Sequence, residues 1–429
     1  MLRRRRAPLL LAAAAGAALA ATSATSPSAD GLGVASTLHG VARSSRAIYT
    51  IGFVVVDYKY SLRGLVHGSA DYRGKLSEVH LRSAKKLLRL CEANRGFYVK
   101  AGQFVSSLRQ VPKEYISTLS CLQDQATPCK YQDIKIVIEQ NLGRDLHGML
   151  KNSCMHYVHR GRLNNNQEVA VKVQYPGLER RMKLDIMTMS LLSKYVSLIF
   201  PDYRFEKILL EFERTMSMEL DFTQEAKNSE RTASCFRKND IVKVPHVFWE
   251  LTTKEVLTME FCTGHKVDDL DFLRKADISP TKVAKALIEL FGEMIFIHGF
   301  VHGDPHPGNI LVSPRGQGRF SLVLLDHGIY KELDPKFRLD YCKLWKALIS
   351  LDVQKILELG EQFGVGKYAK YFPLIFTGRT IDSKSALGTQ ISGEEKTRIK
   401  QDLNSLGMDD ISSFMESLPP DFLVILRTE

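Results

Sequence analysis

Cysteine is scarce and unpatterned: Cys91, Cys121, Cys129, Cys154, Cys235, Cys262 and Cys342 make an odd seven in 429 residues, without paired or metal-type spacing. That excludes a disulfide framework as the source of stability. Acidic residues are absent before Asp30, where Arg3, Arg4, Arg5 and Arg6 precede an Ala/Leu-rich run and then Ser and Thr. Residues 1–29 therefore read as a targeting presequence. Composition alone suits a secretory or a mitochondrial address equally, and the cysteine usage weakens the first. The stretch Ala47–Val56 is mostly apolar but about half the roughly 20 residues of a spanning helix. Within a linker over 30–70 it predicts a membrane-surface or buried segment. Internal repeats are absent, as is low complexity beyond the Ala run.

What is present is ample core material, with 44% apolar and 25% charged residues, enough for two or three domains and against disorder. The net charge of +11 fits a polyphosphate ligand, anionic lipid or nucleic acid. Beyond the leader the basic residues are scattered among acids and not interleaved with aromatics, which makes nucleic acid the least favoured of the three.

The texture divides the chain. Leu76, Val79, Leu87 and Leu90 recur at helical spacing, further helices are expected over 97–108 and 131–150, and residues 71–150 read as an all-helical extension. Glu168–Val173 is a β-branched run between an Asn-rich turn and Pro176, hence a strand. Helix is expected over 179–227 with a break near Pro201, a strand over 255–261, helix from Thr281 to about His298, strands at 309–312 and 320–325, and helix over 336–360. The class is α/β (α+β).

The chemistry concentrates in His302-Gly303-Asp304-Pro305-His306-Pro307-Gly308-Asn309 and, beyond a strand, Leu325-Asp326-His327-Gly328. An Asp five positions before an Asn, followed by an Asp that closes an apolar strand, is how phosphoryl transfer places a hydroxyl and holds Mg²⁺. Asn309 and Asp326 are the metal candidates and Asp304 the base. Any one of them alone would read as a turn or strand cap. Their order and spacing argue for the site, while His306 and His327 read as hydrogen-bonded structural residues. Lys172, on its strand, is placed to reach ATP's α- and β-phosphates, with Glu225 on a later helix as its carboxylate partner. Glu260 to Cys262, at a strand end before Gly264, sits where two lobes would join and meet the adenine, and reads equally as a plain strand end.

No glycine-rich phosphate loop accompanies them. Between Leu150 and Lys172 the only glycine is Gly161. The pairs at Gly31/Gly33 and Gly364/Gly366 lack the context of a phosphate loop.

With these residues in place, the chain from about Ile51 onward resembles the aarF/UbiB family of atypical kinases. The distinguishing mark is Lys100-Ala101-Gly102-Gln103, which matches that family's Lys-x-Gly-Gln motif; Glu219 and Asp221 match its Glu-x-Asp motif. The resemblance implies a two-lobed protein-kinase-like fold with an N-terminal helical extension, an N-lobe over 151–262 and a C-lobe over 263–429. It implies binding of ATP with Mg²⁺, ATPase or small-molecule and lipid-linked kinase activity, and restricted access for protein substrates. It further implies a mitochondrial, membrane-associated address with a role in isoprenoid-lipid or ubiquinone homeostasis. One departure stands out: the family's Ala-rich nucleotide turn is replaced by Lys151-Asn152-Ser153-Cys154-Met155-His156-Tyr157. Relatives of this kind also continue beyond the position of Glu429. The alternatives are a catalytically inactive pseudokinase scaffold and a small-molecule phosphotransferase, whose His-Gly-Asp-x-His-x-Gly-Asn loop is close to the one here.

Overall fold

The structure is a computed structural model. It describes residues 32–108, 111–123, 131–143, 158–163, 165–174, 178–200, 209, 210, 212, 213, 216, 220–381, 393, 396, 397, 418, 419, 421, 422 and 425. Two compact units emerge: residues up to Thr223 with Phe248–Thr258, and Gln224–Val247 with Met259–Glu429.

The first unit is mainly helical. Its helices are Leu32–Ser61, Ala70–Asn94, Phe97–Ser107, Lys113–Leu119, Tyr131–Leu142 and Leu178–Ile199. The expected linker over 30–70 is thus largely one 30-residue helix, with Ala47–Val56 in its interior. Apolar residues on both sides of that helix blur the periodicity a sequence would show. Among the described residues no helix is long and apolar enough to cross a membrane. Ala47, Leu90, Phe97, Tyr98, Leu119, Leu122 and Met182 form the helical core. Within it the Arg43 guanidinium grips Asp185 through two bonds, Nε to Oδ1 at 3.2 Å and Nη2 to Oδ2 at 2.5 Å, and also donates to the Asn94 carbonyl. A buried pair endures when both ions are fully hydrogen-bonded, and this one ties three helices together.

Strands β1 (Val158–Arg162) and β2 (Glu168–Val173) pair antiparallel, Val158 opposite Lys172 and Arg162 opposite Glu168. The sheet continues to β4 (Val256–Glu260), after the two-residue β3 (Val242–Lys243) of a second sheet. Val169, Val171 and Val173 pack with Val256 against Ile134, Val137 and Ile138 of the helix Tyr131–Leu142. The β-branched run read from the sequence is therefore the buried middle strand.

In the second unit, β3, β8 (Arg319–Leu324), β7 (Ile310–Gly316) and β5 (His265–Lys266) make a four-stranded sheet in that order. β6 (Phe300–His302) pairs with β9 (Tyr330–Glu332) in a separate ribbon. The helix Phe222–Cys235 begins at the seam in the sequence between the units, and Pro280–Gly292 passes into a six-residue π-turn, Glu293–His298. That turn ends at Gly299, whose φ of 63° is the left-handed cap glycine tolerates best. Ile310, Val312, Leu322 and Leu324 bury one face of the β7–β8 hairpin against Leu290 and Met294. The helices Pro335–Ser350 and Val353–Gln362 close a second core with Phe372 and Phe422. The register Ile310 to Leu324 matters most, because it sets Asn309 at one strand's entrance opposite Leu325 at the other's exit, with the Asn309 carbonyl accepting the Leu325 amide at 2.9 Å.

Candidate functional site

Within the second unit, β6 delivers His302 and the loop after it Asp304, while β7 opens at Asn309 and β8 runs out at Asp326. One imidazole joins the two aspartates. His302 Nδ1 accepts the Asp304 amide at 3.0 Å, so its other nitrogen carries the proton and donates to the Asp326 carbonyl at 2.7 Å. His302 is 1% exposed. The neutral Nε2–H tautomer is thereby fixed by its partners.

Asn309 Nδ2 donates to the Asp304 carbonyl at 3.1 Å and to its carboxylate Oδ2 at 3.3 Å. With its NH₂ committed there, the side-chain Oδ1 of Asn309 is the end suited to a cation. Asp326 Oδ1 accepts the Gly328 amide at 3.0 Å, an Asx turn that orients the carboxylate. No cluster of three or more His, Cys, Asp or Glu side chains suited to a metal occurs among the described residues. Mg²⁺ asks for less: one or two protein oxygens, with phosphate and water completing its octahedron. The hard oxygens of Asn309 and Asp326 fit that demand.

Behind the loop, the helix Phe222–Cys235 holds the chain that follows Asp326. Glu225, buried, accepts the His327 amide at 3.3 Å, and Asn228 Nδ2 donates to the His327 carbonyl at 2.9 Å. His327 Nε2–H donates to the Leu324 carbonyl at 3.2 Å, and Nδ1 accepts the Tyr330 hydroxyl at 3.0 Å. Burial, foremost, pushes the Tyr330 phenol up, so it remains a donor. His306 Nδ1 accepts the Gly308 amide at 3.0 Å and caps the turn before β7. Both histidines are hydrogen-bonded structural residues, as their sequence context suggests.

Glu260, ending β4, pairs with Lys243 Nζ at 2.5 Å, and its amide donates to the His246 carbonyl at 2.8 Å. Cys262 is half-buried, and burial pushes its thiol up. Burial opposes the Lys243 ammonium, yet the hydrogen bonds and charges of Glu260 and Cys262 together outweigh it and raise its pKa.

The first unit carries the remaining candidates. Lys172 sits on β2 facing Val158 across the ladder; Lys172 and Glu225 belong to different units. Gln103 Nε2 donates to the Leu122 carbonyl at 2.9 Å, and the Gln103 backbone carbonyl accepts from Ser106 Oγ at 2.7 Å. A Cβ on Gly102 would collide with Leu122 Cδ1 and lie 3.2 Å from Cys91 Sγ, so the motif's glycine marks a close crossing between the helix and the turn Ser120–Gln123. Gly102→Val is expected to lower stability by about 1–3 kcal/mol through overpacking, read as a fall in denaturant midpoint. Asp221 Oδ1 accepts the Thr223 amide at 2.9 Å and its hydroxyl at 2.5 Å, capping the helix Phe222–Cys235. Glu219 lies outside the described residues, as does Lys151–Tyr157.

The structure thus brings together Asp304, Asn309, Asp326 and Glu225. Sequence reasoning missed His302, Asn228, Tyr330 and Lys243. For His302 a signal existed, its place two residues before Asp304. His302→Leu removes both bridging bonds at once, and a loss of about 1–3 kcal/mol is expected in urea unfolding at unchanged m-value.

Comparison with known proteins shows the family. The ABC1 atypical kinase-like domain matches residues 121–360. AarF domain-containing protein kinase 1 of Mus musculus is 38% identical over 401 residues, covering 91% of this chain and 76% of its own. Its namesake in Xenopus tropicalis is 37% identical over the same shares. AarF domain-containing kinase 1 of Drosophila melanogaster is 34% identical over 403 residues, 91% of this chain and 78% of its own. A kinase-like core with helix and sheet, a domain match across more than half the chain and these relatives lead to one conclusion: the chain belongs to the ABC1/AarF family of atypical kinase-like proteins.

Proposed function

We propose that this chain binds ATP with Mg²⁺ and acts as an ATPase or as a small-molecule or lipid-linked kinase, mitochondrial and membrane-associated, in membrane-lipid or ubiquinone homeostasis. The observation that carries the nucleotide part is the His302 bridge, which locks Asp304 and Asp326 into one rigid unit while Asn309 fixes the Asp304 carboxylate. Such preorganisation serves in-line transfer, where catalysis is mostly positioning and charge. Bound Mg²⁺ would neutralise charge on the phosphates, held by Asn309 and Asp326. Asp304, solvent-exposed at the loop, orients the attacking hydroxyl and takes its proton. The same reading gives Lys172 the α- and β-phosphates with Glu225 as its carboxylate, and sets the adenine against the backbone of Glu260 to Cys262. The mitochondrial and lipid parts rest on the family resemblance and on the basic leader.

A second reading, a pseudokinase scaffold, is favoured by the sequence Lys151–Tyr157 in place of an Ala-rich turn. Thermal shift with ATP, with and without Mg²⁺, tests the first reading, together with a phosphate-release assay. Stabilisation that requires Mg²⁺, with turnover, is expected. Stabilisation without turnover supports the scaffold, and no stabilisation overturns nucleotide binding.

A further inference from the structure

The helix Leu32–Ser61 buries one side and leaves the other in water. Inward point Ala47, fully buried, Arg43 on Asp185, Ser44 on Thr188 at 2.9 Å, and Tyr58, whose hydroxyl meets Tyr115 at 2.8 Å. On the opposite side stand Tyr49 at 73% exposure, Phe53 at 44%, Val56 at 54% and Tyr60 at 80%. Their spacing of four, three and four residues keeps them on one line along the helix. Gly52 lies among them, and a Cβ there would meet nothing. Past the helix end Val66 is also exposed, at 75%. A surface helix ordinarily turns polar residues outward; here an apolar line runs among the exposed polar ones, Ser45, Arg46 and Lys59.

Its charge is equally one-sided. The helix has a single carboxylate, Asp57, which is paired with Arg82 at 3.0 Å and is 17% exposed. Around the apolar line stand cations: Lys86 over the Phe53 ring at 3.9 Å, exposed Lys59 at the last turn and exposed Arg63 just after it.

We propose that this line is a lipid-contact face that lies on an anionic membrane surface, with Tyr49, Phe53, Val56 and Tyr60 entering the headgroup region and Lys59, Arg63 and Lys86 meeting phosphates. The proposal rests on the membrane-associated reading above and names the surface responsible. A ridge one side chain wide and about 16 Å long, at 1.5 Å per residue, offers far less than the roughly 800 Å² per partner of a stable protein interface. Interfacial binding instead scales with apolar area plus attraction to anionic lipid, and aromatic rings with polar tips suit that boundary. Without a spanning helix among the described residues, contact along the surface is the geometry the helix supports.

The test is co-sedimentation with vesicles of phosphatidylcholine alone or mixed with phosphatidylserine. It uses the full chain with Arg3, Arg4, Arg5 and Arg6 each changed to Gln, so that the basic leader cannot anchor it. This parent is expected to bind the mixed vesicles. Tyr49→Ser, Phe53→Ser, Val56→Ser and Tyr60→Ser combined should weaken binding about tenfold or more. Lys59→Glu with Arg63→Glu should remove the preference for anionic lipid, and this pair keeps the test decisive if the fourfold variant does not fold. Equal binding by parent and variants overturns the face while leaving membrane association standing; failure of the parent on both vesicle types overturns both. A parent that is dimeric in light scattering, with a monomeric fourfold variant, assigns the face to a second copy and overturns the proposal. The ATP-dependent thermal shift is expected to be the same throughout, which separates this outcome from the nucleotide reading.

Discussion

Asp326→Asn is expected to abolish the Mg²⁺-dependent part of ATP stabilisation while leaving the unliganded protein folded. The substitution keeps the side chain's shape and an oxygen able to accept the Gly328 amide, and it does not touch the carbonyl that receives His302. What it removes is the negative charge on a hard oxygen, which Mg²⁺ cannot easily replace with a neutral amide beside Asn309. A ligand at a hundred times its Kd stabilises by about 2.7 kcal/mol, so the loss is large on the scale of a thermal scan. The apo transition should move far less than this, because the Gly328 amide and the carbonyl that receives His302 keep their partners. A variant that still shows a Mg²⁺-dependent shift would sink the metal assignment.

How far such a site can be read in advance depends on where its information lies. Asp304, Asn309 and Asp326 are legible because the chemistry is compressed into 23 residues with rigid spacing, and the hairpin register that unites them follows from two apolar runs. Glu168–Val173 was legible for a similar reason: a β-branched run between an Asn turn and a proline has few other uses. His302 and His327 were harder, since an imidazole's partners are set by folding and not by neighbours in the chain, and His302 reaches a carbonyl 24 positions away. Lys243 lies on a two-residue strand without periodicity, as do β5, β6 and β9 with their two or three residues. The helix over Leu32–Ser61 hid for a different reason. Its exposed apolar line fills the phase where polar residues would have announced a surface helix, so the segment read as a short apolar stretch.

Asp304→Asn is expected to separate catalysis from binding. The residue's amide would still meet His302, and the new side-chain oxygen can still accept Asn309 Nδ2, so the loop keeps its form. Mg²⁺ coordination, assigned to Asn309 and Asp326, is untouched. What disappears is the carboxylate proposed as the base at the attacking hydroxyl, and removing general-base assistance costs roughly 10²–10⁴-fold in rate. The variant should therefore retain the full Mg-ATP thermal shift while phosphate release falls by that factor. Asp326→Asn and Asp304→Asn then form a pair with opposite signatures, one losing the ligand and the other only the turnover. Should Asp304→Asn release phosphate as fast as the unaltered chain, Asp304 is not the base, and a water-positioning role falls with it. Should the unaltered chain bind Mg-ATP yet release no phosphate above background, the two aspartates hold nucleotide without spending it, and the scaffold reading takes the place of the enzyme.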